Sequence, residues 1–265
     1  MKHKNFTIFG DPVEHSISPK MHGFAIEGLG LDATYTKTHL EGACRLRTIF
    51  MESFDGANVT VPHKEAAFGQ CDEVRGIAKE IGAVNTLIKE GENMIGYNTD
   101  AEGFYRSMLD FGEIQSALIL GAGGTAKALS YILKEKGIEV TVLNRSQKRL
   151  KDFQDFKTFD WESYESGYHD IIINTTSAGL QEEALPAPEP IMIELFSHTK
   201  YAIDVIYNKE TPFLKMAKEF DLPTKDGADM LLYQGVLAFM LFYQDKFSFD
   251  EILPFMKKAF GNDTA

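Results

Sequence analysis

The chain has 265 residues, 44% hydrophobic and 25% charged, the balance of a globular protein with room for one large domain or two modest ones. Its net charge of −12, from 27 basic and 39 acidic residues, argues against nucleic acid or an anionic membrane as partner, while leaving small anions to local clusters. Cys44 and Cys71 form no CxxC pair, so neither a disulfide framework nor a zinc site is expected, no metal is called for, and a reducing cytoplasm fits.

The N-terminal MKHKNFTIFG has no signal-peptide apolar region, and no apolar run reaches membrane-spanning length. Asn5 to Phe9 reads as a strand, broken by Gly10-Asp11-Pro12. Ser18-Pro19 reads as an N-cap and first residue of a helix through about Leu29. Ala33 to His39 alternates like a strand, Arg45 to Glu52 is a short helix, and Ala57 to Val61 is a strand cut by Pro62. His63 to Phe68 and Glu73 to Ile81 read as helical. Val84 to Lys89 and Met94 to Tyr97 form a hairpin around Glu90-Gly91-Glu92-Asn93. Strands alternating with helices make residues 1–103 an α/β unit of their own.

The next stretch organises the second half. Ala117 to Leu120 is an apolar strand, Gly121-Ala122-Gly123-Gly124-Thr125-Ala126 a glycine-rich turn, Ala126 to Lys136 an amphipathic helix and Val140 to Leu143 a second strand. Gly121-x-Gly123-x-x-Ala126 fits the dinucleotide fingerprint: a tight turn, a close approach to pyrophosphate and a small residue for helix–strand packing, with Gly124 a further cofactor-binding candidate in the glycine cluster. The helix N-terminus supplies free N–H groups and a positive dipole end. NAD-binding units place an acidic residue at the end of the second strand, whereas Asn144-Arg145-Ser146 and then Lys148 and Arg149 stand here. A guanidinium pairs with a 2′-phosphate, so NADP(H) is the expected cofactor. Beyond it, Asp170 to Asn174 and Tyr201 to Ile206 read as strands, Ala184 to Pro190 as a proline-rich loop, and Thr211-Pro212 as a helix start running to about Phe220. Ala228 to Tyr243 and Phe249 to Phe260 are the last helices, the former a buried one because it carries Gln234. Two such lobes predict a cleft where cofactor and substrate meet.

Several first-lobe motifs carry chemistry. Ser16 and Ser18 could donate hydroxyls to a carboxylate at a helix start, Asn58 and Thr60 share one face of a strand, and Lys64 follows the Pro62 break. Gly82-Ala83-Val84-Asn85-Thr86 adds an amide, and Gly96-Tyr97-Asn98-Thr99-Asp100 a carboxylate at an element boundary. Each has an ordinary structural reading on its own: a cap, a strand residue or a surface lysine.

Taken together, Gly-Asp-Pro…His-Ser-x-Ser-Pro, Asn-Val-Thr-Val-Pro-His-Lys, Gly-Ala-Val-Asn-Thr and Gly-Tyr-Asn-Thr-Asp strongly resemble the shikimate dehydrogenases. The Gly121 fingerprint, Asn144-Arg145-Ser146, Asn174-Thr175-Thr176-Ser177-x-Gly179 and Met230-Leu231…Gln234-Gly235 follow in that family's order, over nearly the whole chain. The resemblance implies reversible NADPH-dependent reduction of 3-dehydroshikimate to shikimate, on the path to the aromatic amino acids. It implies an N-terminal substrate-binding lobe (residues 1–103), a Rossmann-type NADP-binding lobe (104–235) and C-terminal helices (236–265) returning to the first lobe. Residue by residue, it makes Lys64 and Asp100 the catalytic pair and Ser16 and Ser18 the carboxylate grip. Asn58, Thr60, Asn85 and Gln234 become hydroxyl ligands and Tyr207 a residue near the substrate. Asn144, Arg145 and Arg149 match the adenosine-phosphate site. Gly23, Leu180 and Lys209 depart from the family's usual residues. No nucleic acid or membrane partner is implied, and a homodimer is left open. Among rivals, an NAD-using quinate/shikimate dehydrogenase is disfavoured by Arg145, a non-catalytic NADP-binding sensor by Lys64 with Asp100, and a methyltransferase by the basic phosphate end.

Overall fold

The computed structural model describes residues 3–261 of the chain. They form two compact α/β units. One holds the residues up to Gly103 together with those from Leu231 on, and the other is Phe104–Met230. Among the described residues no helix is long and apolar enough to cross a membrane.

The first unit is built on a six-stranded sheet, in spatial order β2(Ala33–His39), β1(Lys4–Gly10), β3(Gly56–Val59), β5(Thr86–Glu90), β6(Asn93–Tyr97), β4(Glu73–Val74). Only β5 runs against its neighbours, pairing antiparallel with both β3 and β6. The β5–β6 hairpin turns through Gly91 at φ +62°, a conformation glycine adopts at no steric cost. Its helices are α1(Ser18–Gly28), α2(Leu46–Ser53), α3(Lys64–Phe68), α4(Ala78–Ile81), α5(Thr99–Ser107), α10(Ala228–Phe242) and α11(Phe249–Lys257), with α5 and α10 carrying the chain out of the unit and back. One face of the sheet is closed by α1, α10 and α11, through Phe6, Met21, Val236, Phe239, Phe242 and Met256. The other is filled by Phe9, Leu46, Phe50, Leu87 and Met94.

The second unit has a fully parallel sheet, ordered β9(Lys157–Asp160), β8(Glu139–Asn144), β7(Ser116–Leu120), β10(His169–Asn174), β11(Thr199–Asp204), β12(Thr224–Lys225). In chain order this is 3-2-1-4-5-6, the doubly wound arrangement, with its switch point between β7 and β10. The helices are α6(Gly124–Glu135), α7(Gln147–Leu150), α8(Glu189–Ser197) and α9(Pro212–Glu219). The strands read as continuous apolar runs because helices cover both faces, and Ala117 to Leu120 and Ile171 to Ile173 are fully buried.

Three local expectations give way. Glu73 to Ile81 is not one helix: Glu73 and Val74 pair with Ile95 and Gly96 as β4, Gly76 turns at φ +62°, and only Ala78–Ile81 is helical. Ser18 is not a hydroxyl cap: Ile17 occupies the N-cap with no side-chain bond, and the Ser16 hydroxyl receives the Ser18 N–H at 3.3 Å. The proline-rich loop ends sooner, because Pro190 sits in the first turn of α8, where a missing N–H costs nothing. By contrast, Thr211 caps α9 through the Leu214 N–H.

Asp170 ties the start of β10 to that of β7, accepting from the N–H groups of Gln115 and Ser116 at 2.8 and 3.1 Å and from Lys200 at 2.8 Å. Burial alone would raise its carboxyl, but Lys200, the Gln115 N–H, the Tyr168 hydroxyl and the Ser116 N–H outweigh it and bring it down to about 2. A carboxyl that ionises more readily folded than unfolded adds stability above its unfolded pKa and loses it as pH falls toward the folded one. Asp170→Asn should therefore cost about 2 kcal/mol near pH 7. The gap to wild type in urea melts should close as pH falls from about 4 to about 2. A gap constant across that window would show that the carboxylate charge contributes nothing.

Candidate active site

At the carboxyl ends of β1 and β3 the first unit assembles a polar cluster from several segments of the chain. The turn after β3 carries Lys64 at the start of α3. Its carbonyl accepts the Val84 N–H at 3.1 Å, and the preceding His63, buried, donates Nε2–H to the Leu40 carbonyl at 2.8 Å. Asp100 lies in the first turn of α5, whose start is fixed from both sides. Asn85 Oδ1 accepts the Thr99 N–H at 2.7 Å, and Asn98 reaches from the Ala83 carbonyl to the Ala101 N–H. These anchors leave Lys64 Nζ 2.7 Å from Asp100 Oδ2, with the two side chains 30% and 17% exposed. An ion pair that is neither dry nor fully solvated costs little to form and remains open to a ligand.

Beside this pair runs a chain of buried amides and hydroxyls. The Tyr35 hydroxyl donates to Asn58 Oδ1 at 2.6 Å. Asn58 Nδ2 donates to the Asn85 carbonyl and to Thr86 Oγ1, each at 3.3 Å. Thr86 Oγ1 donates to Asn85 Oδ1 at 3.0 Å, and Asn85 Nδ2 to Thr99 Oγ1 at 3.0 Å and Gln234 Oε1 at 3.5 Å. Gln234 is held in turn by the Leu231 carbonyl at 2.9 Å. α10 can approach α5 this closely because of Gly103, where a Cβ would stand 2.7 Å from the Gln234 backbone nitrogen. Ser18 is buried and interacts with the Tyr35 hydroxyl, whose pKa burial raises well above its ordinary value, so it stays a donor. Behind Tyr35 the ring of His22 stacks at 4.3 Å and 9°, fully buried, and burial brings its pKa down to about 3, so it is neutral.

The fold thus brings Lys64, Asp100, Asn58, Asn85, Gln234 and Ser18 into one contiguous cluster. Ser16 is half-buried one turn ahead of α1, and Thr60 is half-buried just past the end of β3. Tyr207 belongs to the second unit, 37% exposed after β11. The sequence reading missed Tyr35 and Thr86 as partners of Asn58 and Thr99 as a partner of Asn85. Thr86 and Thr99 sit inside motifs already singled out, whereas nothing in the sequence marks Tyr35.

In the second unit a cavity of about 410 Å³ lies over the carboxyl ends of the strands, at the switch point. Gly121, Ala122 and Gly123 form one wall, Leu143, Asn144, Arg145 and Arg149 a second, and Thr175 to Ala178 a third. Gly121 holds φ +107°, and a Cβ there would strike Thr175 Oγ1 at 2.8 Å. A Cβ on Gly123 would meet nothing within 4 Å, so a ligand could approach its backbone closely. Gly123 is also the N-cap of α6, whose first N–H groups carry no side-chain cap. Gly124 and buried Ala126 form the first turn of α6, and Ser146 the N-cap of α7, where Asn144 Nδ2 donates to its carbonyl at 2.8 Å. Arg145 and Arg149 are both exposed. Exposed guanidiniums, a helix N-terminus and a glycine wall fit a phosphorylated dinucleotide. The wall residues Trp161, Glu182 and Thr175 to Ala178 had no assigned role in the sequence reading.

Residues 8–87 match the family model described as the shikimate dehydrogenase substrate binding domain. The chain is 45% identical to the NADP(+) shikimate dehydrogenase of Helicobacter hepaticus over 92% of both sequences. It is 42% identical to that of Helicobacter pylori strain P12, over 98% of this chain and the whole of the other. Among solved structures, the shikimate 5-dehydrogenase of Thermus thermophilus, in complex with NADP(H) and shikimate, superposes with a TM-score of 0.84 at 34% identity. That match covers 97% of this chain and 99% of the other.

Tyr35→Phe isolates one link of the polar chain. It should cost about 1–3 kcal/mol in urea titrations, because it leaves the buried Asn58 oxygen without its donor. Wild-type stability would place that oxygen in contact with water instead.

Proposed function

The chain belongs to the shikimate dehydrogenase family, and from that premise we propose that it catalyses the reversible reduction of 3-dehydroshikimate to shikimate with NADPH. The observation that carries the reading is the 2.7 Å Lys64–Asp100 pair beside a file of buried hydroxyl-binding amides. We assign the first unit to the substrate and the second to NADP(H).

The nicotinamide, when bound, supplies the hydride to the ring ketone. Lys64 faces the oxygen that gains charge and donates the proton that turns it into the alcohol. In the reverse direction its neutral amine takes that proton back. Asp100 holds the ammonium in place and accepts from a neighbouring ring hydroxyl. Asn58, Asn85 and Gln234 bind the hydroxyls, and Ser16 and Ser18 the carboxylate. Thr60 and Tyr207 complete the substrate contacts. These side chains are mostly held by one another, so little ordering is left to the moment of binding. Gly121 and Gly123 admit the pyrophosphate to the α6 N-terminus, while Arg145 and Arg149, with Asn144 and Ser146, receive the 2′-phosphate. The free thiols of Cys44 and Cys71 support a reducing compartment, the cytoplasm.

Two substitutions test the two halves. With purified protein, shikimate and NADP⁺ followed by nicotinamide absorbance, Lys64→Ala should lower kcat by roughly 10²–10⁴-fold, with a far smaller change in KM for shikimate. Lys64→Arg should not restore the rate, because a guanidinium stays protonated. A folded Lys64→Ala enzyme with normal kcat would make Lys64 a bystander. Arg145→Ala should weaken NADPH by about one to two decades, the scale of a charge-assisted hydrogen bond, and leave NADH use nearly unchanged. Equal losses with both cofactors would mean that Arg145 does not read the 2′-phosphate.

A further inference from the structure

Asp204, the last residue of β11, is a fully buried acidic side chain that none of the roles above uses; burial raises its pKa, and the hydrogen bonds from Thr211, the Ile206 N–H and Asn174 favour the charged form. Each of its oxygens faces donors. Oδ2 accepts from Asn174 Nδ2 at 3.0 Å and from the Thr211 hydroxyl at 2.6 Å, and Oδ1 from the Ile206 N–H at 3.0 Å. Asn174 is its cross-strand partner at the end of β10 and is equally buried. Because a carboxylate only accepts, it forces the Asn174 amide to present its NH₂ group to Asp204. The amide oxygen must then point the other way. There it accepts the Thr176 N–H at 3.0 Å and the Thr176 hydroxyl at 2.8 Å. Thr176 Oγ1 in turn accepts the Ala178 N–H at 3.2 Å. Thr175 to Ala178 are the third wall of the nucleotide cavity. The far end of the same loop is pinned by the same group of residues, since Gly179, at φ +86°, packs so closely on Thr211 that a Cβ would lie 2.9 Å from Thr211 Cβ.

We propose that Asp204 is a positioning residue for cofactor binding: through the imposed orientation of Asn174 it sets the backbone of the 174–179 loop against the dinucleotide. This rests on the reading of that cavity as the NADP(H) site. A carboxylate is needed because both ends must accept: an amide at 204 would turn its NH₂ group either toward the Asn174 NH₂ group or toward the Ile206 N–H. Relieving the first clash by flipping Asn174 would turn its NH₂ group against the Thr176 N–H and break that bond.

The test compares Asp204→Asn with the exchanged pair Asn174→Asp/Asp204→Asn, which returns an acceptor-only group to one position and a donor to the other. Dissociation constants are measured for NADPH, NADH and shikimate separately, below the melting temperature of each protein. Asp204→Asn should weaken NADPH and NADH by the same factor, about tenfold, the scale of one lost hydrogen bond, with shikimate unchanged. The exchanged pair should recover to within about threefold of wild type, a residue of under 1 kcal/mol. A merely structural role would lower the melting temperature and leave these constants alone. A folded Asp204→Asn protein with wild-type affinities overturns the proposal, as does an exchanged pair weakened as much as the single variant. If Asp204→Asn does not fold, the exchanged pair decides alone, by recovery or by a tenfold loss. Wild-type protein binding neither nucleotide would overturn the cofactor reading itself, a distinct outcome.

Discussion

The ion pair between Lys64 and Asp100 is the constraint on which the first unit's site depends. Its two members come from segments that share no helix or strand: Lys64 opens α3 after the break at Pro62, and Asp100 lies in the first turn of α5. Neither segment would hold its side chain alone. The segment leading into β5 joins them, since the Val84 N–H binds the Lys64 carbonyl and Asn85 binds the Thr99 N–H, one residue before Asp100. At partial exposure such a pair contributes little to stability. Its worth is placement: an ammonium is held at a fixed point beside a row of amides already committed to one orientation.

The two units meet opposite electrostatic demands within one acidic chain. In the first, one cation–anion pair stands beside neutral amides and hydroxyls, of which Asn58, Asn85 and Gln234 are buried and partnered by one another or their neighbours. In the second, the proposed ligand is an anion, and the cavity offers a helix N-terminus and two exposed guanidiniums at the end of β8. The overall charge of −12 is therefore no guide to either site. The second unit also buries an acidic side chain, Asp204, bonded to Asn174, Thr211 and the Ile206 N–H.

How much of this was legible depended on whether the information was local. The Gly121 turn, the α6 helix and the flanking strands are encoded in one contiguous stretch, and the glycine pattern, apolar runs and helix stop agree there. The Gly-Tyr-Asn-Thr-Asp and Gly-Ala-Val-Asn-Thr motifs, each open to an ordinary reading alone, drew attention to Asp100 and Asn85 through the family resemblance that the motifs carry together. Tyr35 was invisible: it sits in an alternating strand, and only the pairing of β2 with β1 and β1 with β3 brings it to Asn58, 23 positions away. Asp204 was hidden for the same reason, as an ordinary strand end until β10 lies beside β11. The Glu73–Ile81 error was one of competing periods. Alanine and charged residues favour a helix there, but Val74 gains a strand partner in β6 that no local propensity reports.

The most direct test of the central claim is a double-mutant cycle on kcat for shikimate oxidation, with Lys64→Ala, Asp100→Asn and the two combined. If Asp100 acts chiefly through the lysine, the combined variant should be about as slow as Lys64→Ala alone, because the loss of one member removes the function of the other. Multiplicative losses in the combined variant, each residue costing its full factor regardless of the other, would show two independent contributions and contradict the pair as the unit of proton transfer.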